Sequence, residues 1–145
     1  MHQTITFDTG PGESLTDVTD QVQAAVASSG VRMGACVVFV PHTTAAVTVN
    51  SALDPATLHD LVDEVRRLVP TRTNFRHIVD TPSDAAAHVK SSLIGPSETL
   101  VVANGELVLG RSQRVLFFDF DGPRSRRAMV TVLGSSERYD EHPND

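Results

Sequence analysis

Apolar residues recur along the chain with two different periods, which separate predicted strands from predicted helices. Residues 2–8 alternate between apolar and polar, with Ile5 and Phe7 on one face, as in a half-buried strand. The runs 35–40 and 45–50 are almost continuously apolar or β-branched, which is typical of buried strands. Four later segments, joined by short turns such as Asn104-Gly105, also predict strands: 98–103, 106–110, 113–120 and 127–133.

Helical spacing appears in three segments. Ser14 and Asp17 loosely resemble a capping box ahead of a helix that Gly30 ends. The segment 54–70 opens with Asp-Pro and ends with Pro, which predicts a second, longer helix. The range Asp84–Ser92 predicts a short third helix with its first residue as the cap.

Strands therefore outnumber helices, and the late strands follow one another through short turns. This order favours an α+β fold in which antiparallel sheets pack in a sandwich-like arrangement with two main helices and a short one. The length of 145 residues suits one domain, which we assign to residues 1–134. Residues 135–145 are predicted to be a polar, mobile tail.

Composition excludes several classes of function. A net charge of −6 argues against nonspecific nucleic-acid binding, which requires many phosphates to be neutralised. No apolar run approaches the roughly 20 residues of a membrane span, and the N-terminus does not resemble a signal peptide, so we expect a cytoplasmic protein. Cys36, the single cysteine, lies in an apolar run and is expected to be a buried structural thiol.

Three histidines stand out as candidate ligands. His42 interrupts two apolar strands, His77 lies in a loop, and His88 shares a helix face with Ser92 one turn later. Three neutral imidazoles could bind a divalent metal and leave a coordination position open. Their separations along the chain match no compact ligand motif, so the spacing alone favours an ordinary hydrogen bond for each.

A second polar cluster follows the predicted strand 113–120. Asp119 and Asp121 would point to one face of that strand, where two carboxylates could hold a cation or serve as acid and base. The alternative is a polar strand face that ends in an Asp-Gly-Pro turn, and the residues alone favour this alternative. Arg124 adds a guanidinium group suited to phosphate.

Several blocks of the sequence together resemble the YjbQ family of secondary thiamine-phosphate synthases. They are HTTAAVTVN at 42–50, HVKSSLIGPS at 88–97 and DGPR at 121–124. LVLG at 107–110, followed by Gln113, is similar to the segment before the family's late strand. The blocks occur in the family's order and span nearly the whole chain.

The resemblance implies an α+β fold of antiparallel sheets, assembled as a homotrimer with sites near subunit boundaries. It also implies a histidine-lined pocket able to hold a divalent metal, Zn or Mg, at His42, His77 and His88. Asn50 and Arg124 match the family motif as well. The candidate catalytic residues are His42, Asn50, His88 and Asp119, and the candidate phosphate-binding residues are Lys90, Ser92 and Arg124.

The activity implied by the resemblance joins a pyrimidine methyl pyrophosphate to a thiazole phosphate and releases pyrophosphate, as a main or a secondary activity. Such a reaction needs positive charge on the departing group, which Arg124, Lys90 or a bound divalent cation could supply. The partner is then a phosphorylated small molecule. The alternative is a non-catalytic trimeric protein that binds a metal or an anionic metabolite, and a metal-dependent hydrolase is a weaker third.

Four positions depart from the family pattern around the predicted site. Ser51 stands where glutamate usually follows the asparagine, and Asp84 stands where asparagine is usual. Ser112 replaces a tryptophan, and Asp119 replaces a glutamate.

Overall fold

The computed structural model describes residues 1–137. Within them the elements follow in this order: β1 (His2–Asp8), β2 (Gly12–Asp17), α1 (Thr19–Ser29), β3 (Met33–Phe39), β4 (Ala45–Ser51), α2 (Pro55–Leu68), α3 (Pro82–Ile94), β5 (Ser97–Ala103), β6 (Glu106–Leu107), β7 (Gln113–Gly122) and β8 (Ser125–Ser135). The predicted tail, 135–145, lies mostly outside the described residues. No helix in the described part is long and apolar enough to cross a membrane.

The strands form two sheets in which every pairing is antiparallel. One sheet has five strands in the order β1-β8-β3-β5-β6, and the other has three in the order β2-β7-β4. The predicted α+β class with antiparallel sheets is confirmed.

The main core lies between the two sheets and beneath α1. Successive side chains of a strand point to opposite faces, so one alternating set from each sheet fills this layer. Burial also raises the pKa of the Cys36 thiol to about 11, which keeps it protonated, as expected for a structural cysteine. The layer includes Val22 and Val26 of α1, Val38 of β3, Phe117 of β7 and Val130 of β8.

A second core lies on the other face of the three-stranded sheet. Phe118 and Phe120 of β7 pack there, with their rings 4.3 Å apart, together with Ala46 and Ala87. Helices α2 and α3 cover this face. Since β7 contacts both cores, six successive residues, 115–120, are buried.

The predicted capping box at Ser14 and Asp17 is wrong in its location. Residues 12–17 form β2, because they pair with β7, with Ser14 opposite Asp119. Helix α1 begins only at Thr19, where Oδ1 of Asp17 accepts hydrogen bonds from the backbone N–H and the hydroxyl of Thr19. Pairing with a central strand outweighs a local capping signal here.

The third helix is longer than predicted, and its cap is a different residue. Thr81 is the N-cap: its hydroxyl oxygen accepts the backbone N–H of Asp84 at 3.1 Å. Asp84 therefore lies inside the first turn, and its carboxylate is free to face other side chains. The strand predicted at 106–110 is also shorter, since only Glu106–Leu107 pairs with β5.

The outer face of the five-stranded sheet carries exposed apolar side chains. Phe39, Val101 and Leu133 are 43%, 59% and 57% exposed. Ala35 of β3 pairs with Leu133 of β8 and with Val101 of β5, so these three residues form an apolar row across the sheet. Phe39 lies on the same face, four residues further along β3. No described helix covers this row.

Candidate functional site

Two histidines and an aspartate meet at the start of α3. Nε2 of His77 lies 3.0 Å and Nε2 of His88 lies 3.3 Å from Oδ2 of Asp84. The two imidazole rings stand nearly perpendicular, with their centroids 5.1 Å apart. Asp84 is nearly buried, whereas both histidine side chains are partly exposed, so the cluster opens toward solvent on the histidine side.

Local structure explains this convergence. Residues four apart on a helix share a face, so Asp84 and His88 lie one above the other on α3. The Thr81 cap fixes where the helix begins and hence which residue occupies its first turn. His77, in the loop that enters the helix, then folds back onto the carboxylate.

The three side chains fit a divalent metal. One donor atom from each lies within 4.8 Å of the other two. In a tetrahedral zinc site with bonds of about 2.0–2.1 Å, donor atoms are roughly 3.3 Å apart, close to the two nitrogen–oxygen distances seen here. Imidazole and carboxylate donors suit Zn²⁺ and other divalent transition metals better than Mg²⁺, which prefers oxygen.

His42 does not join this donor group, in contrast to the predicted three-histidine set. It lines a neighbouring cleft of about 280 Å³ that it shares with His88, Ser91 and Ser92. His42 Nε2 accepts the backbone N–H of Arg127 at 3.2 Å. The pairing of β3 with β8 ends at Phe39 and Met129, so the imidazole takes a backbone donor just past the end of the ladder.

This hydrogen bond determines the tautomer of His42. A backbone N–H can only donate, so Nε2 carries no proton and the proton of the neutral ring is on Nδ1. Within residues 1–137, Nδ1 has no hydrogen-bond partner. Partial burial and the positive charge of Arg126 lower the pKa of His42 and outweigh the hydrogen bond from the Arg127 backbone, which acts in the opposite direction, so the ring is neutral at physiological pH.

A buried ion pair fixes the segment that carries His42. The Arg126 guanidinium donates to both carboxylate oxygens of Asp119, at 2.8 and 2.9 Å, and to the hydroxyl of Thr44 at 2.9 Å. Thr9 donates to the same carboxylate at 2.6 Å. The pair lies between the two sheets and ties β7 and β8 to the start of β4, two residues after His42.

The placement of Asp119 does not fit the predicted catalytic role. Its side chain is fully buried, and hydrogen bonds from Arg126, Thr9 and the Asp121 backbone engage both oxygens. Burial alone would raise the pKa of Asp119, but these hydrogen bonds and the charge of Arg126 outweigh burial and lower it. Asp119 is therefore a structural anion.

Lys90 and Ser92 were predicted to bind phosphate. Lys90 is 1% exposed and pairs with Glu13 below α2, so the structure does not bring its ammonium group into the cleft. Ser92 does line the cleft, although its hydroxyl donates to the His88 carbonyl at 3.1 Å. Of the two, only Ser92 lies beside the histidines.

Within residues 1–137, neither the lining of the cleft nor the histidine–aspartate donor group includes Arg124 or Asn50. The Arg124 guanidinium donates to the Asp121 carboxylate and to the Asp121 carbonyl, both at 2.9 Å. Asn50 is exposed near the far end of β4, and its side-chain oxygen accepts the backbone N–H of Ser51. Because His42 precedes the first residue of β4, the length of that strand separates it from Asn50.

Two residues at the site were not singled out as ligands by sequence reasoning. Asp84 was noted as a departure from the family and as a cap, but its spacing of four from His88 was the signal for a shared helix face. Arg127 was not among the candidate residues. Its position beside His42 depends on how β3 and β8 pair in the sheet. No local sequence pattern indicates that pairing.

Comparison with known proteins agrees with this fold. A family model described as UPF0047 protein YjbQ-like matches residues 3–135. The chain belongs to the YjbQ-like UPF0047 family. UPF0047 protein MJ1081 of Methanocaldococcus jannaschii is 39% identical over 126 residues, which cover 87% of this chain and 89% of that protein. YugU of Bacillus subtilis is 34% identical over 92% of this chain and its own full length.

Solved structures of YjbQ-like proteins share the architecture. The crystal structure of hypothetical protein APE1520 from Aeropyrum pernix has a TM-score of 0.88 and 38% identity, and the match covers 93% of this chain and 99% of that one. A YbjQ-like protein, SSO2532, from Sulfolobus solfataricus also scores 0.88, at 29% identity over 93% of this chain and 97% of its own. The resemblance predicted from the sequence blocks is thereby confirmed at the level of family and fold.

Proposed function

We propose that this YjbQ-like protein is a metal-assisted enzyme acting on phosphorylated small molecules, with thiamine-phosphate synthase activity as the reaction to test. The observation that carries the proposal is the His77–Asp84–His88 donor group beside a cleft that His88 also lines. With a divalent cation bound to this donor group, the cleft would suit a substrate that loses an anionic leaving group.

In this proposal some residues of the site bind a metal ion and others orient the substrate. His77, Asp84 and His88 would hold the metal, which when bound stabilises negative charge on departing pyrophosphate. His42 presents Nδ1–H, a donor that suits a phosphate or pyrophosphate oxygen. The hydroxyl oxygens of Ser91 and Ser92, whose protons engage backbone carbonyls, present lone pairs to the cleft.

The proposal is tested by incubating the purified protein with the pyrimidine methyl pyrophosphate, the thiazole phosphate and Zn²⁺ or Mg²⁺, and measuring thiamine phosphate and pyrophosphate. We expect turnover by the wild-type chain and a loss of about tenfold or more in His42→Ala and His88→Ala, since each removes a group that faces the cleft. Circular dichroism checks that both variants remain folded.

His59→Ala is the matched control, because His59 is an exposed histidine on α2 and far from α3 in the chain. It is expected to turn over at the wild-type rate. Full activity in a variant lacking His42, His77 and His88 together would refute the mechanism. Binding of the substrates without turnover would instead identify the non-catalytic binding protein.

We propose further that the protein assembles as a homotrimer through the apolar row on the outer face of the five-stranded sheet. Exposed aromatic and aliphatic side chains in a contiguous row are typical of protein contacts. The face that carries the row extends toward the site, because Phe39 lies on that face and precedes His42 by three residues. Second and third copies of this chain would then border the cleft.

Sedimentation equilibrium measures the assembly directly. We expect a mass close to three times 15.6 kDa for the wild type. Val101→Asp should give a folded monomer, since Val101 is 59% exposed and a carboxylate there costs the isolated chain little. A wild-type protein that sediments as a monomer would contradict the proposal.

A further inference from the structure

Arg127 is an exposed guanidinium beside His42 that has no carboxylate partner among residues 1–137. Its backbone N–H donates a hydrogen bond to Nε2 of His42 at 3.2 Å. Its charge is close enough to the imidazole to lower the pKa of His42. Arginine in this setting offers several donors in a planar fork that matches phosphate oxygens.

Three other cations on the strands and the helix around His42 are already paired within the chain. Arg126 donates to Asp119, Arg124 to Asp121, and Lys90 to Glu13. A cation whose charge is compensated within the chain has less to offer a ligand than a free one. Arg127 is thus a positive charge beside the His42 ring that no carboxylate of residues 1–137 compensates.

We propose that the Arg127 guanidinium and the Nδ1–H of His42 form an oxyanion-binding subsite at the rim of the cleft, separate from the His77–Asp84–His88 donor group. The subsite takes a phosphate or pyrophosphate group, one oxygen of which accepts the imidazole N–H. The identity of the natural substrate rests on the proposed function. The binding of an anion to the subsite does not, because it can be measured without turnover.

The tautomer of His42 makes its ring a hydrogen-bond donor to an anion and not a metal ligand. A metal needs the unshared electron pair of an imidazole nitrogen, and in His42 that pair accepts the Arg127 backbone N–H. The remaining nitrogen carries a proton and can only donate. The positive charge of Arg127, which no carboxylate of residues 1–137 compensates, repels a cation and attracts an anion at this point.

A single ligand could contact both the His42–Arg127 subsite and the His77–Asp84–His88 donor group. His88 borders both the donor group and the cleft, whereas His42 lines only the cleft. An anion seated on His42 and Arg127 would therefore lie toward a metal held by His88. A phosphorylated substrate with a leaving pyrophosphate meets this requirement, since its oxygens can contact both halves of the site.

The test is calorimetric titration of inorganic pyrophosphate into protein freed of metal by a chelating resin. We expect the wild type to bind, Arg127→Gln to bind about tenfold more weakly, equal to about 1.4 kcal/mol, and Arg67→Gln to bind as the wild type does. Arg67 is the matched control because it is an exposed arginine paired with Glu64 on α2.

Long-range proton–nitrogen NMR on histidine-labelled protein gives an independent readout. We expect His42 to carry its proton on Nδ1, to shift when pyrophosphate is added, and to remain unshifted when Zn²⁺ moves the His77 and His88 resonances. A proton on Nε2 of His42, or a Zn²⁺-induced shift of that ring as large as those of the other two, would overturn the assignment.

Three calorimetric results also count against the subsite: no binding by the wild type at millimolar pyrophosphate, unchanged binding in Arg127→Gln, or a larger loss in Arg124→Gln than in Arg127→Gln. These failures differ from failure of the proposed reaction. A protein that binds pyrophosphate through Arg127 but makes no thiamine phosphate retains the subsite and loses only the proposed activity.

Discussion

Zinc affinity is expected to fall by more than about 100-fold when Asp84 is replaced by alanine. Loss of a group that merely orients a ligand costs about 10–100-fold in metal affinity, and Asp84 would be a ligand itself. Its carboxylate is also the one acidic group among the three donors, so its removal leaves two imidazoles as the only donors of the group. Competition with a chromophoric zinc chelator measures the change.

Asp84→Asn separates charge from shape. The amide keeps the volume and one oxygen at the same position, so we expect an affinity between those of Asp84→Ala and the wild type. His59→Ala should bind zinc as the wild type does, because His59 lies outside the cluster. Zinc binding by Asp84→Ala within twofold of the wild type would show that the metal, if bound, has other ligands.

The family pattern makes the asparagine variant informative in a second way. Asparagine is the residue expected at position 84 from the resemblance, and this chain has aspartate instead. If Asp84→Asn loses zinc but retains turnover, then this chain has acquired a metal preference that the reaction does not need. If both fall together, the carboxylate belongs to the catalytic site.

Much of the fold was predictable because hydrophobic periodicity survives in most elements. The buried runs that became β3 and β4, and the Pro-bounded segment that became α2, follow directly from it. The strand β2 did not, because Ser14 and Asp17 favour a helix start locally while pairing with β7 decides the outcome. A local sequence pattern carries no information on which distant strand a segment will pair with.

The candidate site was predictable in part for a related reason. His77 and His88 were correctly expected to converge, but the third member of the cluster is Asp84 rather than His42. A helix places residues four apart on one face whatever the rest of the fold does, so Asp84 was within reach of sequence reasoning. The position of His42 depends on where β3 stops pairing with β8, which only the assembled sheet determines.

Charge assignments were the least predictable feature. Lys90 and Asp119 were given functional roles, and both turn out to be buried partners of opposite charges. A charged residue in a motif can be retained for a buried ion pair as readily as for catalysis, and sequence alone does not show which. Arg127, which has no carboxylate partner among residues 1–137, is exposed whereas its neighbour Arg126 is buried, because successive side chains of a strand point to opposite faces of the sheet.

Removal of the Asp119 carboxylate is expected to destabilise the protein by about 3–5 kcal/mol in Asp119→Ala. The variant leaves Arg126 buried at 6% exposure without a counter-charge. Chemical denaturation measures the loss of unfolding free energy. The double variant Asp119→Leu/Arg126→Met is the matched control, and we expect it to recover most of the stability, because two apolar side chains replace two charges.

The same ion pair gives a signed dependence on pH. The pKa of Asp119 is lower in the folded protein than its ordinary value of 3.8, so its contribution to stability is complete above that value. It is lost as the pH falls through the lower folded-state pKa, where the carboxylate is protonated. The wild type should therefore lose stability on acidification below about pH 4 more steeply than the double variant.

Acid titration of both proteins measures this difference in acid sensitivity. Unfolding is followed by far-UV circular dichroism, because the chain has no tryptophan whose fluorescence could report it. Equal acid sensitivity would mean that Asp119 is not the anion that the fold depends on. Because Arg126 also binds Thr44, the double variant should in addition loosen the segment that holds His42. A change in the His42 tautomer in that variant, with α3 and its zinc affinity intact, would show that the ion pair positions His42 and leaves the metal-ligand group unaffected.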